Sequence, residues 1–591
     1  MYGSSNNQLL NDENASINIQ NNTSGTAVGM YASRGGSAIN KGDITITGTT
    51  GTSVGILGAG ENYIENQGTI NVEGASAYGI RVLDGTNTTI INQGSINVNG
   101  TNEAYGIYID QNASANSVTN LGSITINGNQ NDTNRSIVLN GADFRNVGLM
   151  SVSGELDLET LGAKTVYLED GATYEAQSIK GDLTAGVSTV MNDNLDTYIK
   201  KDALIAEDTN NLNISSESAL FEAKTEKNKE GNTDVVLKRK EFSNFTPNKS
   251  MADYLTKNYQ AKKFEDTFNS LKSATTQSNL QENLADFMGH DRLLNFADEN
   301  FSVLRSLNRT MADTILKPTD EKNRVIAGYD NFNLETDDKG VLSGYELNSN
   351  SMFTFGDKRL NNWSRLGLGL SFTDINTSYE KGGDRDLNIV SVFVPYLRKI
   401  SDKLNLVSIL NLGYGYGDYD RGSDKQSDIE EIIYGLTNEL RYTININGFA
   451  ELEPALMLNA IGYTEKGFDE GNAKDAIQTK RTNNLSVELG LGVFLKKEVK
   501  MEKYGKLGFK IGGVYYHEFA DPYRDITLRH KDALGSWYRI NDYANLYQRD
   551  RAVLEAVIDY AYKDLALYVK YNKLIQKNNP DLFDMGLKFN F

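Results

Sequence analysis

Hydrophobic and polar residues alternate along the C-terminal part of the chain with a period of two, the period of a β-strand. One face of the last predicted strand is formed by Phe583, Met585, Leu587, Phe589 and Phe591. A bare strand with an aromatic face would be an exposed, adhesive edge unless it closes a barrel whose outer surface contacts lipid. The pattern therefore predicts a transmembrane β-barrel.

Connection lengths support an antiparallel barrel of twelve strands. Connections after odd-numbered strands are the longer ones and those after even-numbered strands are mostly tight, as in outer-membrane barrels; 356–362 is the one ambiguous even connection. An even strand number places both ends of the barrel on the periplasmic side. The twelve predicted strands are about 323–334, 341–356, 363–380, 386–400, 403–420, 428–446, 448–465, 483–499, 503–520, 549–563, 564–576 and 582–591.

The opposite faces of these strands carry glycines and charged residues. Charged groups are costly toward lipid and are favourable in a wet lumen, and glycine leaves room inside. The residues predicted to face the lumen are Gly367, Gly369, Gly413, Gly415, Glu439, Arg441, Glu451, Glu453, Glu488, Gly490 and Gly492.

Residues 249–317 change to a helical period. The apolar stripe of the final helix is formed by Leu304, Leu307, Met311 and Ile315. A helix over 298–317 would be roughly 30 Å long, the thickness of a bilayer core. We predict that this helix threads the pore; packing of an amphipathic helix on some other surface is the alternative.

The first third of the chain is an internal repeat. The motif Asn-x-Gly-x-(Ile/Met)-x-(Val/Ile)-x-Gly recurs every 26 to 28 residues. Units this small cannot bury a core alone, so the repeat predicts a stacked parallel β-solenoid, with its hand left open. The Asn column can form an amide ladder. The predicted interior column is Ile44, Ile70, Ile96, Ile124 and Met150.

Four regions follow: a solenoid (1–190), a β-rich junction or cap (191–248), a helical linker (249–322) and the barrel (323–591). In the junction, 219–223 and 235–239 predict a hairpin that either caps the last coil or serves as a plain connector. The repeat already runs near Ile17 without a polar cap, and no signal peptide begins the sequence. We therefore expect further coils upstream.

Composition narrows the function. The chain of 591 residues has 54 Gly, 6 Pro, no Cys and 39% hydrophobic residues, with no apolar run long enough for a spanning helix. Its net charge of −19 argues against nucleic acid. The histidines, at 290, 517 and 530, form no ligand-spaced cluster. No catalytic residue, metal site or cofactor is predicted.

One repeat, Gly51 to Gly55, fits the Gly-x-Ser-x-Gly nucleophile pattern. That pattern needs a strand, a turn and then a helix, and the helix is missing. The sibling repeats place Ala27, Ala77 and Ala104 where Ser53 stands. A structural turn is therefore the favoured interpretation.

The order of solenoid, junction, helix and twelve-stranded barrel resembles the classical type V autotransporters over essentially the whole chain. The fold class is then all-β with a helical linker: a parallel β-solenoid passenger, and a transmembrane barrel with an α-helix in its pore. The resemblance implies a bacterial outer-membrane location with the passenger on the cell surface. It also implies that the aromatic C-terminal strand is a barrel-assembly signal read by the outer-membrane insertion machinery.

In the serine-protease branch of that family, the passenger is cut between two adjacent Asn residues in the pore helix. The segment Leu307 to Asp313 is similar to the stretch that follows this bond, but the Asn positions are Arg305 and Ser306. The resemblance therefore implies that the passenger stays attached.

Three functions remain open. The leading one is a surface-anchored autotransporter whose solenoid binds or adheres to a host protein or glycan, while the barrel sits in outer-membrane lipid. The second is a solute-conducting channel with a solenoid lid. The third is a polysaccharide lyase, which needs clustered charged groups on one coil face; Asp43, Glu65, Glu73 and Asp84 do not recur in register.

Tyrosines are the one candidate ligand surface on the solenoid. They form either an exposed aromatic stripe or packing within the core and turns, and the sequence leaves both open. The four residues are Tyr63, Tyr78, Tyr105 and Tyr108.

Overall fold

The computed structural model describes residues 1–4, 7–128, 137–187, 196–246, 248–317, 321–338, 342–422, 425–501, 504–522, 526–535, 537–540, 549–575 and 581–590. Its contacts divide the chain into two compact units. The first consists of Met1–Lys240 and Glu265–Leu280, and the second of Glu241–Phe264 and Gln281–Phe591.

In the part of the chain that the structure describes, the first unit contains α2 (Glu265–Lys272), the first turn of α3 and 23 strands. They are β1 (Tyr2–Ser4), β2 (Gln8–Asn11), β3 (Ser16–Asn21), β4 (Thr26–Ser33), β5 (Ser37–Asn40), β6 (Asp43–Gly48), β7 (Thr52–Ala59), β8 (Tyr63–Asn66), β9 (Thr69–Val82), β10 (Gly85–Asn92), β11 (Ser95–Ile109), β12 (Ala113–Asn120), β13 (Ser123–Gly128), β14 (Asp143–Asn146), β15 (Leu149–Val152), β16 (Glu155–Asp157), β17 (Val166–Leu168), β18 (Thr173–Glu175), β19 (Ser178–Ala185), β20 (Thr197–Ile205), β21 (Leu212–Ser216), β22 (Phe221–Lys227) and β23 (Thr233–Arg239).

The second unit contains α1 (Lys249–Gln260), α3 (Gln277–Met288, from Gln281 on), α4 (His290–Leu293), α5 (Asn295–Ile315) and the remaining strands. They are β24 (Asn323–Thr336), β25 (Tyr345–Asn361), β26 (Ser364–Tyr379), β27 (Asp384–Lys399), β28 (Leu404–Asp420), β29 (Gln426–Tyr442), β30 (Ile444–Ile446), β31 (Ala450–Glu465), β32 (Ile477–Thr479), β33 (Thr482–Lys500), β34 (Lys506–Glu518), β35 (Ile526–His530), β36 (Tyr538–Ile540), β37 (Asp550–Tyr562), β38 (Leu565–Ile575) and β39 (Asp581–Asn590).

The first unit is a β-solenoid whose coils stack in parallel. Equivalent strands of successive coils pair in register, so the repeat spacing in the sequence becomes a column in space. This pairing confirms the predicted interior column, whose members are all fully buried: Ile44, Ile70, Ile96, Ile124 and Met150. At the C-terminal end of the solenoid the antiparallel hairpin β22–β23 pairs with β20 and covers the open edge of that strand. Of the two alternatives for this hairpin, a cap on the last coil or a plain connector, the pairing agrees with the cap.

A buried ladder of amides runs beside this column. Four side-chain hydrogen bonds of 2.7–2.8 Å join Asn40, Asn66, Asn92, Asn120 and Asn146, each asparagine donating to the one in the next coil. Each of these side-chain amides also donates to the backbone carbonyl of the residue that begins a strand in the next coil, at Thr69, Ser95, Ser123, Leu149 or Thr173. The hydrogen bonds of the ladder therefore replace those that these buried amides would make to water in the unfolded chain.

Substituting Asn92→Ala should destabilise the solenoid by about 2–4 kcal/mol, because Asn66 Nδ2 and Asn120 Oδ1 each lose a partner while buried. Pulse proteolysis of the full chain in rising urea measures the loss. The matched control is Asn97→Ala, a half-buried residue with one amide bond to Asn71, which should cost under about 1 kcal/mol. Equal losses for the two variants would contradict a special role for the ladder.

The second unit contains a closed antiparallel barrel of twelve long strands. Its order runs from β29 back through β24 to β39, β38, β37, β34, β33 and β31, and the β29–β31 pairing closes it. The short β30 pairs only with β31. The twelve predicted strands are confirmed, although β25 runs to Asn361, which makes the ambiguous even connection tight.

Large apolar side chains cover the outward face of the barrel. They are exposed because they have no protein neighbour on that side, and together they form the belt expected toward lipid. Members include Leu366, Leu368, Leu370, Val390, Leu410, Leu412, Ile432, Leu456, Leu491, Ile511, Leu554, Leu567 and Val569. Among the described helices, none is both long and apolar enough to cross a membrane.

Candidate functional site: the occupied barrel lumen

The helix α5 lies inside the barrel. Its side chains or backbone make polar contacts with an inward-facing residue of every one of the twelve strands. In chain order from β24 to β39 these are Asp330, Tyr345, Thr377, Arg385, Asn411, Glu431, Met457, Glu488, Lys510, Glu555, Lys570 and Lys588. The predicted pore helix is therefore confirmed, with Asn295–Ile315 in place of 298–317.

One side of α5 is apolar and packs against one half of the lumen. Leu307, Met311 and Ile315 belong to a buried cluster with residues of β24, β25, β27 and β28. Leu304, the fourth member of the predicted stripe, is 2% exposed. The barrel partners in the cluster are Ile326, Phe353, Phe355, Phe393, Leu397, Val407 and Ile409.

The other side of α5 is charged and meets the polar half of the lumen. Arg309 lies between Glu555 (Nε to Oε2, 2.9 Å) and Glu439 (Nη1 to Oε1, 3.6 Å). One turn on, Asp313 accepts from Arg441 at 2.7 Å and pairs with Lys510 at 3.1 Å. Because Glu299, Arg305, Arg309 and Asp313 each face a residue of opposite charge on the wall, the rotation of α5 about its axis is fixed.

Near the outer end, Arg385 is completely buried between two carboxylates. Its guanidinium donates to Glu299 of α5 at 2.8 Å and to Glu431 of β29 at 2.6 Å. Asn300 donates to the second oxygen of Glu431 at 2.7 Å. A buried charge of this kind is stable only while paired, so the triad joins helix and wall into one unit.

The predicted lumen residues fall on the inward side of their strands. Glu439, Arg441, Glu453 and Glu488 are buried there, whereas Glu451, opposite Lys496 near a strand end, is exposed. The polar side chains pair with α5 or with each other: Glu488 accepts from Arg305 at 2.9 Å.

The inward glycines make room for neighbouring strands as well as for the lumen. A Cβ on Gly369 would lie 2.4 Å from the Phe393 ring, and one on Gly490 would lie 2.6 Å from the Tyr516 ring. The room that these glycines were predicted to leave inside the barrel is thus partly filled by aromatic side chains of adjacent strands. Gly367, Gly413, Gly415 and Gly492 also lie on the inward side.

Two long outer loops and the helices before α5 form a cap in the second unit. The loops contribute a three-stranded sheet, β32–β35–β36. His530 of this sheet lies between Tyr254 of α1 and Phe287 of α3, with the Phe287 ring stacked at 4.2 Å. Its Nε2 donates to the Phe287 carbonyl at 2.9 Å, and its Nδ1 accepts from the Tyr254 hydroxyl at 2.9 Å. The neutral ring satisfies both contacts, because the Tyr254 hydroxyl already accepts from the His530 backbone N–H and can donate its own proton to Nδ1.

The cap is held further by one buried ion pair and one glycine. Arg421, after β28, binds both carboxylate oxygens of Glu470 (2.9 and 2.7 Å) and donates to the Asp286 carbonyl at 3.1 Å. Gly289, between α3 and α4, has φ of +67°, and a Cβ there would lie 2.2 Å from Ile477. Only glycine permits this close approach of loop to helix.

Acid should loosen the cap. Burial lowers the pKa of His530 to about 3, so the fold keeps the ring neutral while the unfolded segment takes up a proton below its pKa of about 6.5. The contribution of His530 to the free energy of unfolding is therefore fully present above pH 6.5 and falls by about 1.4 kcal/mol per pH unit below it. At pH 5 the loss amounts to about 2 kcal/mol. Hydrogen exchange of β35 amides at pH 7 and pH 5, corrected for intrinsic rates, measures it.

Two variants sharpen this test. His530→Gln should make the exchange of β35 less dependent on pH; His290, whose pKa burial also lowers to about 3, supplies the remaining dependence. The matched control is His517→Gln, because His517 is only half-buried and pairs with Asp550 outside the cap. A pH dependence unchanged in His530→Gln would show that this histidine does not control opening.

The C-terminal strand pairs on both sides, with β24 and β38, and so closes the barrel. Met585 is exposed on the outward face and Leu587 is half-buried. The side chains of Phe583 and Phe589, and all of Phe591, lie outside the described residues. Recognition of this strand as an assembly signal stays a prediction.

The tyrosine stripe on the solenoid is mostly packed. Tyr78 and Tyr105 are each 7% exposed and stack on one another at 5.3 Å, and the half-buried Tyr108 meets both rings edge-on. Tyr63 alone is exposed. Packing, the second of the two possibilities, therefore describes most of the stripe.

Sequence reasoning missed the central charged residues Glu299 and Arg385. A signal was present, since Arg305, Arg309 and Asp313 follow one another every four residues along the predicted pore helix. A charged stripe beside an apolar one indicates a lumen that is itself half charged. Within the described ranges, no three His, Cys, Asp or Glu side chains are arranged to hold a metal ion.

Two different family models match the barrel region and the solenoid region of the chain. Residues 325–572 match the family model of the autotransporter beta-domain, and residues 1–150 match that of the BigA third pectate lyase-like domain. No curated protein matches the sequence.

Several solved structures are similar to about half of the chain. The translocator domain of autotransporter NalP from Neisseria meningitidis is 10% identical, with a TM-score of 0.38, covering 49% of this chain and 96% of its own. The beta domain of the Bordetella autotransporter BrkA is 14% identical, TM-score 0.34, covering 46% and 100%. The transport unit of AIDA-I from Escherichia coli is 12% identical, TM-score 0.31, covering 49% and 97%.

Proposed function

Since this chain is an outer-membrane autotransporter whose C-terminal domain belongs to the autotransporter β-domain family, we propose that its solenoid passenger stays covalently attached and acts at the cell surface by binding. The barrel then serves first as the route of export and afterwards as the anchor. The observation that carries the proposal is α5, which joins the two parts of the chain and contacts all twelve strands from inside.

The chemistry around the candidate cleavage bond supports retention. Where the self-cleaving branch of the family has two asparagines, this chain has Arg305 and Ser306, and neither side chain can cyclise onto its own backbone as an asparagine can. Arg305 is instead engaged with Glu488 at 2.9 Å and with Ser486 at 2.8 Å. Ser306 is within 3.5 Å of Lys570.

Cells that make the full chain should therefore carry the solenoid on their surface and release none of it. Protease shaving of intact cells, followed by mass spectrometry of cells and medium, measures both. A solenoid fragment in the medium that ends at Arg305 would overturn the proposal. The matched positive control is Arg305→Asn/Ser306→Asn, which restores the asparagine pair beside the unchanged Leu307 to Asp313 segment.

Binding, with a host-surface protein or glycan as the expected partner, is favoured over catalysis by the register of the coils. Asp43 pairs with Thr69, and Glu65 lies between Ile39 and Ile91, so these carboxylates do not gather on one face. Cells with the full chain should adhere to host-cell glycoproteins more than cells whose chain lacks 1–240. Polygalacturonate cleavage by purified chain, followed by the absorbance of the unsaturated product, would contradict a purely binding passenger.

A further inference from the structure

The outward face of the cap sheet carries a cation–aromatic cluster that the proposed function does not use. Lys480 Nζ lies 4.9 Å and the Arg529 guanidinium 4.8 Å from the centre of the Trp537 ring. Arg529 is held by a bond of 2.8 Å to Gln478 on the neighbouring strand. Arg539 is exposed on the same face, opposite Thr527. We call Lys480, Arg529, Trp537 and Arg539, together with the exposed Arg481 that follows Lys480 in the chain, the basic ledge.

The ledge is a fixed surface because the other face of its sheet is buried. Ile477, Leu528 and Tyr538 alternate with the ledge residues and are at most 1% exposed. They pack toward the cap helices, where the Tyr538 ring lies 4.5 Å from that of Tyr254. The cationic groups are thus presented on a preformed support rather than on a free loop.

The ledge lies just above the apolar belt of the barrel. Lys480 and Arg481 are both exposed and directly precede Thr482, the first residue of β33, whose outward side chains begin the belt at Leu485. Four residues separate Arg481 from Leu485, about 13 Å along a strand and about 10 Å along the membrane normal at the usual tilt. This height corresponds to the polar headgroup layer.

The charge of the ledge is an exception on this protein. The chain carries a net charge of −19, and at the same end of the barrel the outward faces of β26 to β28 carry Asp374, Asp384, Asp386 and Asp418. On that side an anion would be repelled. A cationic surface at the headgroup level of β33 is complementary to an anionic headgroup.

We propose that the basic ledge binds the phosphate-bearing sugar headgroup of an outer-leaflet glycolipid, a lipopolysaccharide. Arginine forks and a lysine ammonium match phosphate oxygens, and Trp537 offers apolar surface to a sugar ring. The interaction goes beyond export and anchoring: it gives the barrel one preferred lipid neighbour on its β33 side. It requires the outer-membrane location and is independent of whether the passenger is released.

Trp537 supplies a direct readout, because the chain has only two tryptophans. The other, Trp363, is exposed at a turn at the opposite end of the barrel, so a Trp363→Phe background leaves the ledge as the sole reporter. Full chain in phosphatidylethanolamine nanodiscs is titrated with bisphosphorylated lipid A incorporated at rising mole fraction. A saturable change in Trp537 emission is expected.

The ledge variant Lys480→Ala/Arg481→Ala should weaken this binding at least tenfold, and dephosphorylated lipid A should also bind at least tenfold more weakly. The matched control is Lys466→Ala, an exposed lysine at the same end whose ammonium is already paired with Glu430 at 2.9 Å; it should bind as the parent does. Unboiled electrophoretic mobility verifies that each barrel is folded.

Four results would overturn the proposal. The ledge variant could bind as tightly as Lys466→Ala, or dephosphorylated lipid A could bind as tightly as the bisphosphorylated form. Inorganic phosphate alone could saturate the signal at the same concentration, which would indicate a simple anion site. Heparin could bind more tightly than the glycolipid through the same residues, which would indicate a sulfated glycan as the ligand.

Discussion

A chain that begins at residue 316, and so lacks α5, is expected to conduct ions through a barrel that is otherwise closed. In the complete lumen α5 contacts an inward residue of every one of the twelve strands. Without the helix, the charged half of the wall faces an empty space that water will fill. Planar-bilayer recordings should show step increases in current.

The matched control begins at residue 281 and retains most of α3 and all of α4 and α5 while lacking the solenoid. It should insert equally well and stay silent, because the helix still fills the lumen. Open-channel currents of the same size from both chains would contradict the assignment of α5 as the closing element. Silence from the chain that begins at 316, with folded barrels in the bilayer, would contradict it equally.

Replacing Arg385 by leucine should cost about 3–5 kcal/mol, the largest single-residue effect that we expect. The substitution removes the guanidinium that Glu299 and Glu431 share and leaves both carboxylates as uncompensated charges, each fully buried. The contact of Arg385 with the Phe296 ring, at 4.4 Å, is also lost. Guanidinium unfolding of purified barrels, followed by unboiled electrophoretic mobility, measures the change.

Two further variants separate the buried charge from its neighbours. Lys466→Ala removes an exposed ion pair with Glu430 and should leave the free energy of unfolding nearly unchanged, because water screens the pair. Arg385→Met/Glu299→Gln/Glu431→Gln removes all three charges together and should recover most of the loss, since no buried charge remains. A triple variant as unstable as Arg385→Leu would show that the damage comes from packing and not from unpaired charge.

The barrel and the solenoid could be predicted from the sequence because each produces a regular repeat in the pattern of hydrophobic and polar residues. Alternation over two residues assigns a side chain to lipid or lumen without any knowledge of its partners, and the 26-residue repeat places Ile44, Ile70 and Ile96 in one column for the same reason. Twelve strands and a pore helix followed from these local patterns alone. Bounds shifted by a few residues, as at Asn361, where pairing and not composition ends a strand.

What the sequence could not determine is which side chains meet across the lumen. Glu299 and Arg385 are 86 residues apart, and Arg309 and Glu555 are 246 apart. Such pairs depend on the rotation of α5 and on the stagger of a closed barrel, which no local pattern encodes. The basic ledge is likewise a tertiary product, because Lys480, Arg529 and Trp537 come from separate loop segments that only the cap sheet brings together.

Periodicity thus settled the architecture of this protein, since the face on which a residue lies is a property of its own segment. Closure of the barrel settled the rest, because burying α5 forces charges distant in the chain to pair or remain unsolvated. The identity of those pairs, the cap over the outer end and the position of the basic ledge were decided by the tertiary structure alone.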